Sequence, residues 1–165
     1  QGSTADLKAA RAACRLPVLR KDFILEPYQV FESAAMGADA LLLIVRALSG
    51  ERLSALLSLS RSVGLEALVE IHTEKDLETA TLAGAAVVGI NNRDLATFDT
   101  DIGRAIAMAP HFLPEQIPVA ASGIAARADV ERNLAAGIRC FLLGEALVRA
   151  EDPAAMLRGL AGENR

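Results

Sequence analysis

Ala40-Leu41-Leu42-Leu43-Ile44-Val45 is six apolar residues in a row with no polar alternation. It reads as a strand buried on both faces, the kind found in parallel sheets covered by helices. Working outward, five further β-rich runs are Leu16–Phe23 before it and Glu66–His72, Val87–Asn92, Pro118–Gly123 and Cys140–Glu145 after it. Successive runs start roughly 20 to 30 residues apart, which leaves room for one crossover helix between neighbours and predicts a chain of βαβ units. Val87-Val88-Gly89-Ile90 and Phe141-Leu142-Leu143-Gly144 repeat the two-sided apolar character.

The stretches between the runs carry helix punctuation. Ser3 with Asp6 and Thr73 with Asp76 have capping-box spacing, with Asp in place of the usual Glu. Pro27 after Glu26 and Pro153 after Asp152 sit where a first-turn proline loses nothing by lacking an N–H. Gly37, Gly64, Gly84 and Gly137 fall where a helix should close before the next strand. The joints Met36-Gly37-Ala38, Ala83-Gly84-Ala85 and Ala136-Gly137-Ile138 form a weak repeat of one βα unit. With no linker, low-complexity segment or shift in composition, residues 1–165 read as a single domain. A doubly wound sheet and a barrel both accommodate six such units, and periodicity alone does not choose between them.

Composition removes several function classes. Of 165 residues, 52% are apolar and 23% charged, enough for a large core and too apolar for general disorder. The net charge is −4 with no basic stripe, so no nucleic-acid partner is expected. The longest apolar stretch, Ala38 to Ala47, is broken by Asp39 and Arg46, so no membrane span is expected. Cys14 and Cys140 make no disulfide framework and point to a reducing, cytoplasmic setting, where both read as buried thiols. His72 and His111 stand far apart with no Cys/His cluster, so no metal is expected. The chain opens on Gln1, not Met, so Gln1-Gly2-Ser3 marks either a processed or truncated product or a tag scar.

The carboxyl ends of the predicted strands are unusually polar: Arg20-Lys21-Asp22, Glu70-Ile71-His72, Asn91-Asn92-Arg93-Asp94, Ser122-Gly123 and Gly144-Glu145. Strands often end in polar loops for no functional reason. An acid, an amine, an amide and two glycine turns at similar depth is more than that explains, and this is the end where α/β enzymes keep their sites.

Three stretches then carry a resemblance. Leu16-Pro17-Val18-Leu19-Arg20-Lys21-Asp22-Phe23-Ile24, Ala67-Leu68-Val69-Glu70-Ile71-His72 and Gly89-Ile90-Asn91-Asn92-Arg93-Asp94-Leu95 strongly resemble the indole-3-glycerol phosphate synthase family of tryptophan biosynthesis. Ser122-Gly123-Ile124 and Phe141-Leu142-Leu143-Gly144-Glu145-Ala146-Leu147 continue the match in order and spacing over nearly the whole chain. A similar FQGS segment precedes this helix in the family, which favours native sequence at Gln1-Gly2-Ser3. The resemblance implies a (β/α)8 TIM-barrel type fold, here an incomplete barrel of about six parallel strands with crossover helices. These would be the family's third to eighth strands, with its first two strands and N-terminal extension missing.

The resemblance also implies roles. The family converts an anilino-deoxyribulose phosphate to indoleglycerol phosphate by ring closure, decarboxylation and dehydration, with no metal or organic cofactor expected. Lys21 matches its general-acid lysine, which protonates the ketone as the anilino ring attacks. Glu70 matches its strand-five glutamate, a base for re-aromatisation or dehydration that partial burial would improve. Asn91 matches its substrate-binding asparagine. Arg93 is placed either to bind the substrate carboxylate or to pair with Asp94, and Ser122 to contact substrate. Gly123, Gly144 and Glu145 match the phosphate-binding loops after the last two strands, Glu145 contributing its amide with its carboxylate turned away.

One departure stands out. At strand seven the family has Ser-Glu-Ser-Gly or a close variant, and this chain has Ala120-Ala121-Ser122-Gly123, so Ala121 replaces a carboxylate. The family's first-strand lysine and glutamate are absent as well. Residues that act as a unit do not contribute additively, so the chain alone is expected to be inactive or impaired. The alternative is a non-catalytic phosphate-binding or assembly module derived from the barrel. An isomerase of the same pathway would want a Cys/Asp pair at strand ends, and no cysteine lies at one. Open barrel edges at Leu16–Phe23 and Cys140–Glu145 predict self-association, most simply a homodimer.

Overall fold

Leu41, Leu42, Leu43 and Ile44 are all buried in β2 (Ala40–Ile44), the central strand of the first of two compact units, which ends at Val88. The computed structural model describes residues 2–94 and 99–162; Gln1 of the opening tripeptide and Leu95 of the asparagine-rich motif lie outside the described residues.

In this first unit β1 (Leu19–Arg20), β2 and β3 (Glu66–Ile71) run parallel in that order, with Arg20 beside Leu41 and Ile44 beside Glu70. α2 (Pro27–Ala35) and α3 (Gly50–Ser62) are the crossovers, and α4 (Glu74–Leu82) follows β3. Leu53, Leu56 and Leu57 of α3 and Leu77 and Ala80 of α4 are buried, so β2 and β3 are covered as a parallel sheet requires. α1 (Thr4–Ala13) precedes β1 and leaves every residue at least partly exposed.

Both predicted capping boxes form, at Ser3/Asp6 and Thr73/Asp76. Asp76 does more than cap: its Oδ2 accepts from the N–H groups of His72 (2.9 Å) and Thr73 (3.0 Å), fixing the turn from β3 into α4. Pro27 and Pro153 occupy first turns, and the four joint glycines all take positive φ. The entry to α2 is built by Gln29, whose Oε1 accepts from Leu25 and Glu26 while its Nε2 donates to the Phe23 carbonyl.

The second unit runs from Gly89, within β4 (Val87–Asn91). Its strands follow the order β4, β5 (Ile117–Ala121), β6 (Cys140–Leu142), with Val119 beside Cys140 and Ala121 beside Leu142. α5 (Gly103–Met108), α6 (Arg127–Ala135), α7 (Glu145–Arg149) and α8 (Pro153–Ala161) complete it. Its buried apolar residues include Ile90, Met108, Ala120, Ala121, Ile124, Val130, Ile138 and Leu160.

Strand order decides the architecture. A doubly wound sheet reverses its order at a switch point. In both units the order is the sequence order, as successive βα units of a barrel require. The fold is therefore of the (β/α)-barrel type, incomplete, with six parallel strands and crossover helices.

Four readings need correction. Leu16–Phe23 contributes only Leu19–Arg20 to the sheet, because the Val18 N–H donates to the Asp39 carboxylate and Asp22 caps the Phe23 N–H. Val45 leaves β2 for a short 3-10 turn, Val45–Ala47. The strand expected over Pro118–Gly123 stops at Ala121, since Ser122 and Gly123 have φ of 67° and 79°, which no strand residue adopts. Cys14 and Cys140 are exposed: Cys14 ends a helix that buries nothing, and Cys140 begins β6, which ends the strand order.

Candidate active site

Two clusters of polar side chains gather at carboxyl ends of strands, one in each unit. In the first unit the Arg20-Lys21-Asp22 stretch divides its labour. Arg20 is buried and bonds the Gln29 carbonyl, Ser33 Oγ and the carboxylates of Glu32 and Asp22, so it anchors α2 to β1. Lys21, next in the chain, is half-exposed, and its Nζ lies 3.7 Å from Glu70 Oε2. Glu70 sits near the end of β3 with its side chain only 5% exposed. Its other oxygen, Oε1, is 4.0 Å from Nε2 of the buried His72. A buried carboxylate is thus flanked by an ammonium open to solvent and by an imidazole beneath it. Such an arrangement has the parts for acid–base chemistry: a proton donor on the exposed side and a carboxylate within the fold.

In the second unit, Asn91 is buried at the end of β4; its Oδ1 accepts from the Arg93 N–H and its carbonyl from Arg104. The Arg93 guanidinium binds the Glu145 carboxylate, a partner that neither sequence alternative named. Glu145 also pairs with Arg149 at 3.0 Å, one turn along α7. The hydrogen bond from Arg93, and then the charges of Arg149 and Arg93, hold the Glu145 carboxyl below its ordinary 4.5.

Ser122 and Gly123 form the turn after β5. Both are left-handed, at φ 67° and 79°, which is uncommon for a serine and marks a position held by its surroundings. At Gly123 a Cβ would lie 2.3 Å from Thr100 Cγ2, so glycine is required both for φ and for space. Gly144 is different. It caps α7 at φ −134° and a Cβ there would meet nothing within 4 Å. No protein packing demands that glycine, which leaves open room at the start of α7. Ala121, where the family resemblance calls for a carboxylate, is buried, and its carbonyl accepts the Asn92 N–H at 2.8 Å.

The structure therefore brings Lys21 to Glu70 and Arg93 to Glu145, and gives Ser122-Gly123 a turn geometry. Sequence reasoning placed His72 and Asn92 among the polar strand ends but gave neither a role in the site. A second amide inside an otherwise apolar strand end was the available signal for Asn92. Among the described residues no group of three or more His, Cys, Asp or Glu could hold a metal ion, and no helix is long and apolar enough to cross a membrane.

Sequential strand order, crossover helices and polar groups at strand carboxyl ends define the class as a (β/α)-barrel protein of the kind whose sites lie at that end. The family model described as indole-3-glycerol phosphate synthase matches residues 1–160, and the chain belongs to that family. It is 62% identical over 160 residues to the indole-3-glycerol phosphate synthase of Desulfosudis oleivorans, covering 97% of this chain and 61% of that one. It is 53% identical to that of Syntrophobacter fumaroxidans, covering 98% and 61%. The chain thus spans about three fifths of the length of the curated relatives it matches. Among solved structures, KGPDC from Streptococcus mutans matches with a TM-score of 0.73 at 14% identity, covering 95% of this chain and 76% of that one. That likeness shows the fold.

Proposed function

We propose that the protein is an indole-3-glycerol phosphate synthase-type lyase. It closes the ring of an anilino-deoxyribulose phosphate, forming a carbon–carbon bond from the anilino ring to the ketone carbon, and then releases carbon dioxide and water. Lys21 gives its proton to the ketone oxygen as that bond forms. Loss of carbon dioxide restores the aromatic ring, and Glu70 takes the proton from the neighbouring carbon as the hydroxyl leaves. Asn91, Arg93 and Ser122 bind the substrate's polar groups, and the amides of Gly123, Gly144 and Glu145 bind its phosphate. The observation that carries the reading is the Lys21–Glu70 pair, 3.7 Å apart with the carboxylate buried, in a chain of this family.

The reading takes residues 1–165 as one domain acting in the cytoplasm on a phosphorylated small molecule, without nucleic acid. It includes a homodimer through the edge strands β1 and β6, which constant single-chain mass in light scattering would contradict. One observation favours a non-catalytic phosphate-binding module: Ala121 supplies no carboxylate beside Ser122.

Mixing excess protein with the anilino-deoxyribulose phosphate separates the two. The lyase reading expects the indole chromophore to develop, slowly, and not to develop from the same compound stripped of its phosphate. Binding without a chromophore supports the module. No binding overturns both.

A further inference from the structure

Asn92 has no chemical role in the reaction above, yet it is fully buried and every polar group it carries is used. Its N–H donates to the Ala121 carbonyl (2.8 Å) and its carbonyl accepts from Asp101 (2.9 Å). Its side chain divides in two directions: Nδ2 donates to the Ser122 carbonyl (3.1 Å) and Oδ1 accepts from the Ala105 N–H (3.1 Å). A single residue thus ties the end of β4 to the last residue of β5, to the turn after it and to α5.

The turn it holds does not hold itself. Ser122 is the one non-glycine residue with positive φ among the described residues, and the backbone there gains nothing from glycine's freedom. Gly123 follows at φ 79° with Thr100 packed against its α-carbon. Two consecutive left-handed residues turn their backbone amides out of the strand ladder, the arrangement by which turns make anion-binding concavities. The bond from Asn92 Nδ2 falls on the carbonyl of the strained residue itself, so it acts on the torsion that orients the Gly123 amide.

We propose that Asn92 is the positioning residue of this turn: it holds Ser122 in the left-handed conformation and so keeps the Gly123 amide aimed at a phosphate. The phosphate part rests on the reading of the turn given under Proposed function. The conformational part does not. A buried asparagine serving only as internal glue would stabilise the unit without controlling the turn.

The test compares three variants with the unmodified chain. Asn92→Asp keeps the acceptor for Ala105 and puts a second acceptor against the Ser122 carbonyl. Asn92→Ser removes most of the reach of both bonds and stands in if the aspartate variant fails to fold. Val130→Ala, at a buried position of α6 outside the turn, lowers stability. Two readouts are taken on folded protein: Ser122 φ, from its N–H to Hα coupling and carbon shifts, and the affinity for inorganic phosphate followed at the Ser122 and Gly123 amides. The expected result is that the Asn92 variants move Ser122 out of positive φ and weaken phosphate by about tenfold or more, the effect of leaving a buried carbonyl without its donor. Val130→Ala leaves both readouts unchanged. Folded Asn92 variants with unaltered Ser122 φ overturn the proposal. If the unmodified chain takes no phosphate, the phosphate reading fails and the φ measurement alone decides the role of Asn92.

Discussion

Replacing Lys21 by methionine lowers the ring-closure rate by about a hundred- to ten-thousandfold, the range expected for losing a positioned general acid. Methionine keeps the apolar stem and removes only the ammonium, so packing around β1 is preserved. Glu70, with its side chain 5% exposed, keeps its 4.0 Å approach to His72. The phosphate-binding residues proposed in the second unit are untouched. The loss should therefore fall on the chemical step and leave substrate affinity nearly unchanged, which is the signature of an interaction made mainly in the transition state. Single-turnover rates over a range of substrate concentrations read the two effects separately. An unaltered rate in the variant removes Lys21 from the mechanism.

Leu43→Ala should cost about 2–5 kcal/mol, the range for deleting a fully buried leucine from a core that cannot collapse around the cavity. Leu43 is fully buried in the central strand of the first unit, beside Val69 of β3, which is fully buried too. Few shifts are open to it: β2 is bonded on one side to β1 and on the other to β3, and α3 presents the equally buried Leu53 and Leu56. Against a total stability of about 5–15 kcal/mol for a domain, this is a large fraction. Function should follow stability, because Lys21 directly follows β1, Glu70 lies in β3, and β2 pairs with both strands. Denaturant unfolding followed by circular dichroism measures the cost. A change below about 1 kcal/mol would mean that the site is not close-packed.

What the sequence revealed and what it concealed separate on physical grounds. Ala40–Val45 announced a two-sided buried strand because its apolar character is local and uninterrupted, and the capping boxes were legible because two residues three positions apart suffice to make one. The polar strand ends were legible as a group for the same reason. Boundaries were less so: Leu16–Phe23 looked like a full strand, but Pro17 offers no donor and Asp39 and Asp22 draw the backbone away from the ladder. A turn at Ser122-Gly123 was legible from the glycine, but the left-handed serine was not, because it is held from Asn92, 30 residues earlier in the chain. The Arg93–Glu145 pair spans 52 residues and has no local trace. The thiols were misread because a cysteine's usual burial says nothing about α1, a helix that buries no residue at all.

The central claim is that the buried Glu70 carboxylate, 3.7 Å away, also holds the Lys21 ammonium in place for ring closure, so that the two act as a unit at that step; a double-mutant cycle on the ring-closure rate tests it most directly. The variants are Lys21→Met, Glu70→Gln and the two combined, each measured in single turnover beside the unmodified chain. Groups that act as a unit lose their joint effect when either is removed. The account predicts that the double variant is about as slow as the slower single variant. Losses that multiply, with the double variant slower by the product of the two single effects, would show two independent groups and contradict it.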